Sequence, residues 1–204
     1  MRVTAKVKEQ TEAAILAAAR RLFRRHGVDA ASTRDIAKAA GVAAGTLFNY
    51  FPSKEAIAFA LAAQAFEDGR RSARERIEPD AAGTLEQHLF TLIASDLRAL
   101  ADLRPLVADL LDAGLARAGE LPAPAAAIRA ARMEDVAWLL AMHGVPHGAE
   151  APLLHLVWSV YLSVLAFWSR DPSPNQEDTL ALLDSAVRML TSGLRGSPRK
   201  DEQP

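Results

Sequence analysis

The feature that most constrains this chain is its periodicity. Along almost all of its 204 residues, apolar side chains recur three and four positions apart, the spacing that places them on one face of an α-helix. No run alternates around β-branched residues as a strand would, and alanine and leucine, both strong helix formers, are abundant. An all-α fold is expected. Glycine and proline cut the pattern into about nine helices.

The first runs from near Lys6 to Arg25, carries Ile15, Leu22 and Phe23 on one face, and stops where Gly27 can take a left-handed cap. Thr33 is expected to cap a short second helix that ends at Gly41, and a third covers about Ala44 to Tyr50. Phe51-Pro52 breaks it, and Ser53 caps a long fourth helix reaching about Ile77. After a connector around Pro79 and Gly83, Thr84 and Gln87 form a capping box for a fifth. Pro105 and Pro124 open two more, proline being suited to the first helical turn. The stretch from Pro152 to Ser169 is apolar enough for a helix buried on all sides. A last amphipathic helix begins at Asn175, with Asp178 in its first turn, and a polar tail over 196–204 is expected to fray.

Net charge is −1, but its distribution is uneven. Residues 1–54 hold ten lysines and arginines against four acids, while the remainder carries 14 basic and 21 acidic side chains. A basic N-terminal unit meets the electrostatic requirement for holding phosphates, although a solvated helix surface has the same composition. The chain has no cysteine, which removes disulfides and thiol chemistry. Its first residues lack the apolar segment of a signal peptide, and Leu153 to Trp168 is short for a bilayer span of roughly 18–20 residues. A cytoplasmic protein with no membrane partner is expected.

Residues 33–50 have the spacing of a helix-turn-helix. Ala37 is small where two helices approach, Gly41 permits the bend, and Ile36, Val42 and Leu47 can pack the angle between them. With the first helix, this makes a three-helix unit whose third helix can enter a major groove. The same pattern occurs in helical proteins that never touch DNA, so a helical small-molecule binding or interaction protein stays open as the alternative.

The stretch ILAAARRLFRRHGVDAASTRDIAKAAGVAAGTLFNYFPSKEAIAFAL, from Ile15 to Leu61, strongly resembles the DNA-binding domain of the TetR family of bacterial transcriptional regulators. The resemblance implies division into a DNA-binding domain over 1–54, a ligand-binding and dimerisation domain over 55–195, and the tail. It implies a ligand-responsive regulator, most simply a repressor, that binds a palindromic operator as a homodimer and is released by a small-molecule effector. It places the DNA contacts at Thr33 and Arg34, along Ala43 to Tyr50, and at Lys54. Within that set, Thr33, Arg34, Tyr50 and Lys54 suit phosphates, and Arg34 could also reach a base edge. Thr46 and Asn49 suit base edges, and Gly45 lets the backbone come close. Ala43 stands where similar sequences often have serine, leaving the recognition helix without a side-chain cap. Phe48 stands where tyrosine is common, keeping the ring without its hydroxyl; Ala44 completes the surface.

Beyond residue 61 no comparable motif appears. Leu156, Val160, Val164, Leu182, Val187 and Leu190 supply more apolar surface on the last two helices than one face needs, which a second copy of the chain would cover unless it is monomer core. Phe66, His88, Trp138, Met142, His155, Trp158 and Tyr161 are large or amphipathic groups fit to line a pocket, with Asp96 an anchor for a cationic or hydroxylated ligand. No phosphate loop, dinucleotide fingerprint or nucleophile elbow is present, so neither catalysis nor a cofactor is expected. The five histidines lack metal-binding spacing; His143 and His147 straddle Gly144 and Pro146 and share no helix face.

Overall fold

The computed structural model describes residues 5–78, 82–111, 123–145 and 147–195, with side chains for all of these but 147–151 and 193–195. Pro79, Pro146, the side chain of His147 and the tail 196–204 lie outside that description. Among the described residues there are nine α-helices and no strand: α1 (Ala5–Ala30), α2 (Thr33–Ala40), α3 (Ala44–Tyr50), α4 (Lys54–Ile77), α5 (Leu85–Ala99), α6 (Arg104–Leu110), α7 (Ala123–Met142), α8 (His147–Arg170) and α9 (Glu177–Arg195). The all-α reading of the periodicity holds.

The chain forms two compact units, 1–69 with 98–130, and 70–97 with 131–204. In the first, α1 packs on α2 and α6, and Ile15, Phe23, Ile36, Leu47, Ile57, Leu61 and Leu106 make its core. The core of the second holds Leu89, Leu92, Val136, Leu139, Leu165, Trp168, Leu183 and Val187. Each such leucine or isoleucine contributes about 1.5–3 kcal/mol by leaving water.

Several helix ends follow their local chemistry. Thr84 and Gln87 form a reciprocal capping box, the Thr84 amide donating to Gln87 Oε1 at 2.8 Å and the Gln87 amide to Thr84 Oγ1 at 3.2 Å. Ser53 Oγ accepts from the Ala56 amide. Gly41 and Gly144 end α2 and α7 at φ of 72° and 66°, and in both cases the next amide, of Val42 or Val145, reaches back five residues to a carbonyl.

Three boundaries and one burial differ from expectation. The cap of α2 is Ser32, whose Oγ accepts from the Asp35 amide at 3.1 Å and donates to the Asp35 carboxylate, so Thr33 is the first helical residue. Gly27 does interrupt α1, but at φ 78° and ψ 169°, a conformation open to glycine and not that of a left-handed cap, and helical backbone resumes to Ala30. The last helix begins at Glu177; Asn175 has a left-handed φ of 52° inside a short turn, and Asp171 and Ser173 take the capping role. Asp171 accepts from the Thr179 amide and hydroxyl and from the Ser173 amide, which holds its carboxyl well below the usual carboxylate range. Finally, α8 is not buried on all sides. Leu156 and Phe167 are 52% and 44% exposed, because α8 has only part of its circumference covered by its own chain.

Candidate nucleic-acid interface and buried polar cluster

The third helix is short and outward-facing. Of the seven residues of α3, only Leu47 is buried. Together with Ile36 and Ala37 from α2 it closes the angle between the two helices, so the hydrophobic effect fixes α3 through a single anchor. The rest of its surface is available. Ala44, Gly45, Phe48 and Asn49 are exposed, as is Ala43 before the helix, while Thr46 and Tyr50 are half-buried. Phe48 is 50% exposed. A Cβ added at Gly45 would meet nothing within 4 Å, so internal packing does not demand glycine there. The start of α3 has no side-chain cap at Ala43.

Thr33 and Arg34 lie at the start of α2, half-buried and exposed. Lys54 is placed differently from a free surface cation. Its Nζ donates to the carbonyls of Val28 and Asp29 at 3.1 and 3.2 Å and stands 3.7 Å from the Asp29 carboxylate. It ties the first turn of α4 to the end of α1.

Residues 15–61 match the family model described as bacterial regulatory proteins, TetR family. This segment is a TetR-family domain. It runs from the buried face of α1 through Leu61 of α4, so the helix-turn-helix just described lies wholly within it. Solved structures are similar over nearly the whole chain. The transcriptional repressor FadR of Thermus thermophilus, of the TetR family and in complex with lauroyl-CoA, is 24% identical, with 95% of this chain and 98% of that one covered at a TM-score of 0.66. A TetR transcriptional regulator from Nitrosomonas europaea is 21% identical, covering 89% and 98%, also at 0.66. The TetR-like regulator LfrR of Mycobacterium smegmatis, in complex with proflavine, is 24% identical, covering 91% and 97%, at 0.55. No curated protein sequence matches the chain. The TetR-family domain is thus joined to a helical remainder whose fold is shared with these regulators.

Within the second compact unit, several of the residues expected to line a pocket do come together, around a polar group that sequence reasoning missed. Asp96 of α5 is fully buried and its Oδ2 accepts from Arg132 Nη2 at 2.5 Å and from the Tyr161 hydroxyl at 2.8 Å. Arg132, itself buried, also donates to Asp135 Oδ2 at 3.2 Å. The other oxygen of Asp135 accepts from Arg70 Nε at 2.8 Å and Arg74 Nη2 at 3.0 Å. Burial pushes the Asp96 carboxyl up to about 6, against the opposing pull of Arg132 and the Tyr161 hydrogen bond. Trp158 stacks on Tyr161 with ring centroids 5.5 Å apart, and the Arg74 guanidinium lies over Trp138 at 4.6 Å.

The other expected pocket residues are scattered. His88 is buried against His143, their facing ring nitrogens 2.9 Å apart. Met142 is half-buried and His155 is exposed, which removes it from any enclosed lining. Phe66 is buried in the first compact unit. In that unit an open groove of about 350 Å³ is lined by Ala13, Leu16, Ala17, Arg20, Leu61 and Gln64, none of them an expected ligand residue. Among the described residues, no three histidine or carboxylate side chains are grouped to hold a metal ion. Arg132 did leave a signal in the sequence: it falls on the helical stripe of Ala125, Ile128, Val136 and Leu139, all buried.

Of the residues expected at a dimer interface, Val164, Val187 and Leu190 are buried within their own chain, Val160 is half-buried, and Leu156 and Leu182 are exposed. Phe167, Leu180 and Met189 join the exposed set, Met189 at 76%.

Proposed function

We propose that this protein is a ligand-responsive transcriptional repressor that binds a palindromic operator as a homodimer in the bacterial cytoplasm and is released by a small-molecule effector. The observation that carries the reading is the outward face of α3 inside a TetR-family domain: one buried anchor, Phe48 and Asn49 exposed, and Thr46 half-buried. That face has the dimensions and chemistry of a major-groove probe, with Asn49 and Thr46 for base edges and Phe48 for thymine methyl groups. Arg34 and Tyr50 supply phosphate contacts, and the basic balance of residues 1–54 supplies the sequence-independent attraction.

Residues 1–54 then form the DNA-binding domain and 55–195 the regulatory one. The exposed Leu156, Phe167, Leu180, Leu182 and Met189 of α8 and α9 are the dimer contact, since apolar side chains of this size in adjacent helices gain most by covering one another. The effector is received near Asp96, Trp138, Trp158 and Tyr161. FadR with lauroyl-CoA and LfrR with proflavine are similarly folded regulators with small molecules bound, which supports a ligand for this one and does not choose it.

Selection of genomic fragments on the purified protein, followed by gel shift against scrambled competitor, tests the reading. A two-fold symmetric motif bound as one dimer is the expected result. Binding that shows no sequence preference between low and moderate salt would overturn it.

A further inference from the structure

Two atoms of the buried cluster have no hydrogen-bond partner: Asp96 Oδ1, an acceptor, and Arg132 Nε, a donor. Both side chains are at least nine-tenths buried, and each makes good bonds through its other atoms. An orphaned polar atom in the interior costs roughly 1–3 kcal/mol, more when the group is charged. One acceptor and one donor on two directly bonded partners form a matched pair. A group that both donates and accepts satisfies them together.

The charge of the cluster decides what kind of group. Three arginines, Arg70, Arg74 and Arg132, face three carboxylates, Asp96, Asp135 and, at the exposed edge, Glu134, so the cluster is already balanced in charge. A cation would upset that balance and leave Arg132 Nε unsatisfied. A carboxylate would satisfy Arg132 Nε and place its charge beside Asp96 Oδ1. A neutral hydroxyl or primary amide meets both needs with no new charge. The flank of the cluster is aromatic, with Trp158 stacked on Tyr161 and the Arg132 guanidinium 5.6 Å from the centre of the Tyr161 ring.

We propose that Asp96 Oδ1 and Arg132 Nε are the polar end of the effector site and take the hydroxyl or primary amide of an uncharged, largely aromatic or apolar ligand. This rests on reading the region beyond the TetR-family domain as effector-binding. It narrows the ligand class, excluding organic cations, and adds Arg132 as an anchor.

The test uses the full chain and four probes on one ring system: 2-naphthalenemethanol, 2-naphthylmethylammonium, 2-naphthoate and 2-methylnaphthalene, read by thermal unfolding. The alcohol is expected to raise Tm by on the order of 4 °C at ten times its Kd, with little effect from the other three. Asp96→Leu/Arg132→Met/Tyr161→Phe removes both orphans and the hydroxyl bonded to Asp96, and leaves Asp135 paired with Arg70 and Arg74. A buried ionic group replaced by apolar residues of similar volume commonly folds. That variant is expected to unfold cooperatively and to lose the preference for the alcohol. Equal shifts with all four probes, no shift with the alcohol, or an alcohol preference retained in the triple variant each overturn the proposal, the second meaning that water suffices for the pair. Selection of DNA by the unliganded wild-type protein reports separately on the regulator reading, so the two can fail independently.

Discussion

Lys54 Nζ sits 3.1 Å from the carbonyl oxygen of Val28, bridging two helices whose sequence positions are 26 residues apart. The ammonium also donates to the Asp29 carbonyl and stands 3.7 Å from its carboxylate, so two of its three donors go to the end of α1. A lysine at this position resembles a phosphate contact in sequence, and the geometry makes it a brace.

Replacing Lys54 with alanine should therefore lower affinity for all DNA sequences alike, through a displaced α4 rather than a lost phosphate contact. The slope of log K against log salt is expected to stay close to wild type, and stability to fall by about 1–2 kcal/mol for the loss of charge-assisted bonds. A slope reduced by about one would restore Lys54 to the phosphate.

Asn49 is exposed and has no packing duty. Asn49→Ala should leave Tm within about 1–2 °C of wild type while relaxing preference at one operator position per half-site, by about 1–3 kcal/mol against the best base. Binding measured over all single-base operator variants reads this directly. A uniform loss across them would contradict the assignment.

Asp135 bridges Arg132 to Arg70 and Arg74, so removing its charge weakens the hold on three guanidiniums at once, one of them buried and left with Asp96 as its charged partner. Asp135→Asn is expected to cost about 3–5 kcal/mol in chemical denaturation. Arg70→Ala should cost far less, because Arg74 still bonds the same oxygen and Arg70 is partly exposed. Similar losses in the two variants would mean that Asp135 is not the hub.

Asp96 gives the cluster a pH dependence of definite sign. Its carboxyl titrates at about 6 in the folded chain, above the ordinary value of 3.8. The folded state therefore binds the proton more tightly than the unfolded one. The associated stability is complete below about pH 4 and is lost as pH rises through about 6. Asp96→Asn cancels this dependence, so its stability relative to wild type in chemical denaturation should climb between pH 4 and pH 7, by on the order of a few kcal/mol. Carbon NMR of the Asp96 carboxyl checks the titration itself, and an ordinary value near 4 would remove the basis for the effect.

Met189 and Leu156 are among the most exposed large apolar side chains in the structure. Leu156→Arg with Met189→Arg should leave thermal unfolding at low protein concentration nearly unchanged and shift sedimentation from dimer to monomer at micromolar concentration. Unaltered sedimentation would move the interface elsewhere.

What the sequence disclosed and what it withheld divide along physical lines. The helices, the Thr84–Gln87 box and the glycine stops depend on residues a few positions apart, so a linear reading reaches them. The resemblance over Ile15 to Leu61 similarly located the helix-turn-helix. The cap at Ser32 was missed because serine and threonine adjoin and both suit the position. Arg132 was missed because its partner Asp96 lies 36 residues away, and the apolar stripe on which it falls does not by itself say that a cation is held inside. Of the candidate dimer residues, Leu156 and Leu182 are exposed while Val164, Val187 and Leu190 are buried in their own chain: spacing identifies an apolar stripe, but the width of the stripe covered by the chain's own helices is a tertiary quantity.

The single anchor of α3 has a consequence for how such a protein can change. Since Leu47 is the one buried side chain of the helix, its four exposed positions, Ala44, Gly45, Phe48 and Asn49, can be exchanged at little expense to folding. Sequence preference and structural integrity are then nearly independent variables, and a duplicated copy of this chain could drift to a new target without first acquiring stabilising changes elsewhere.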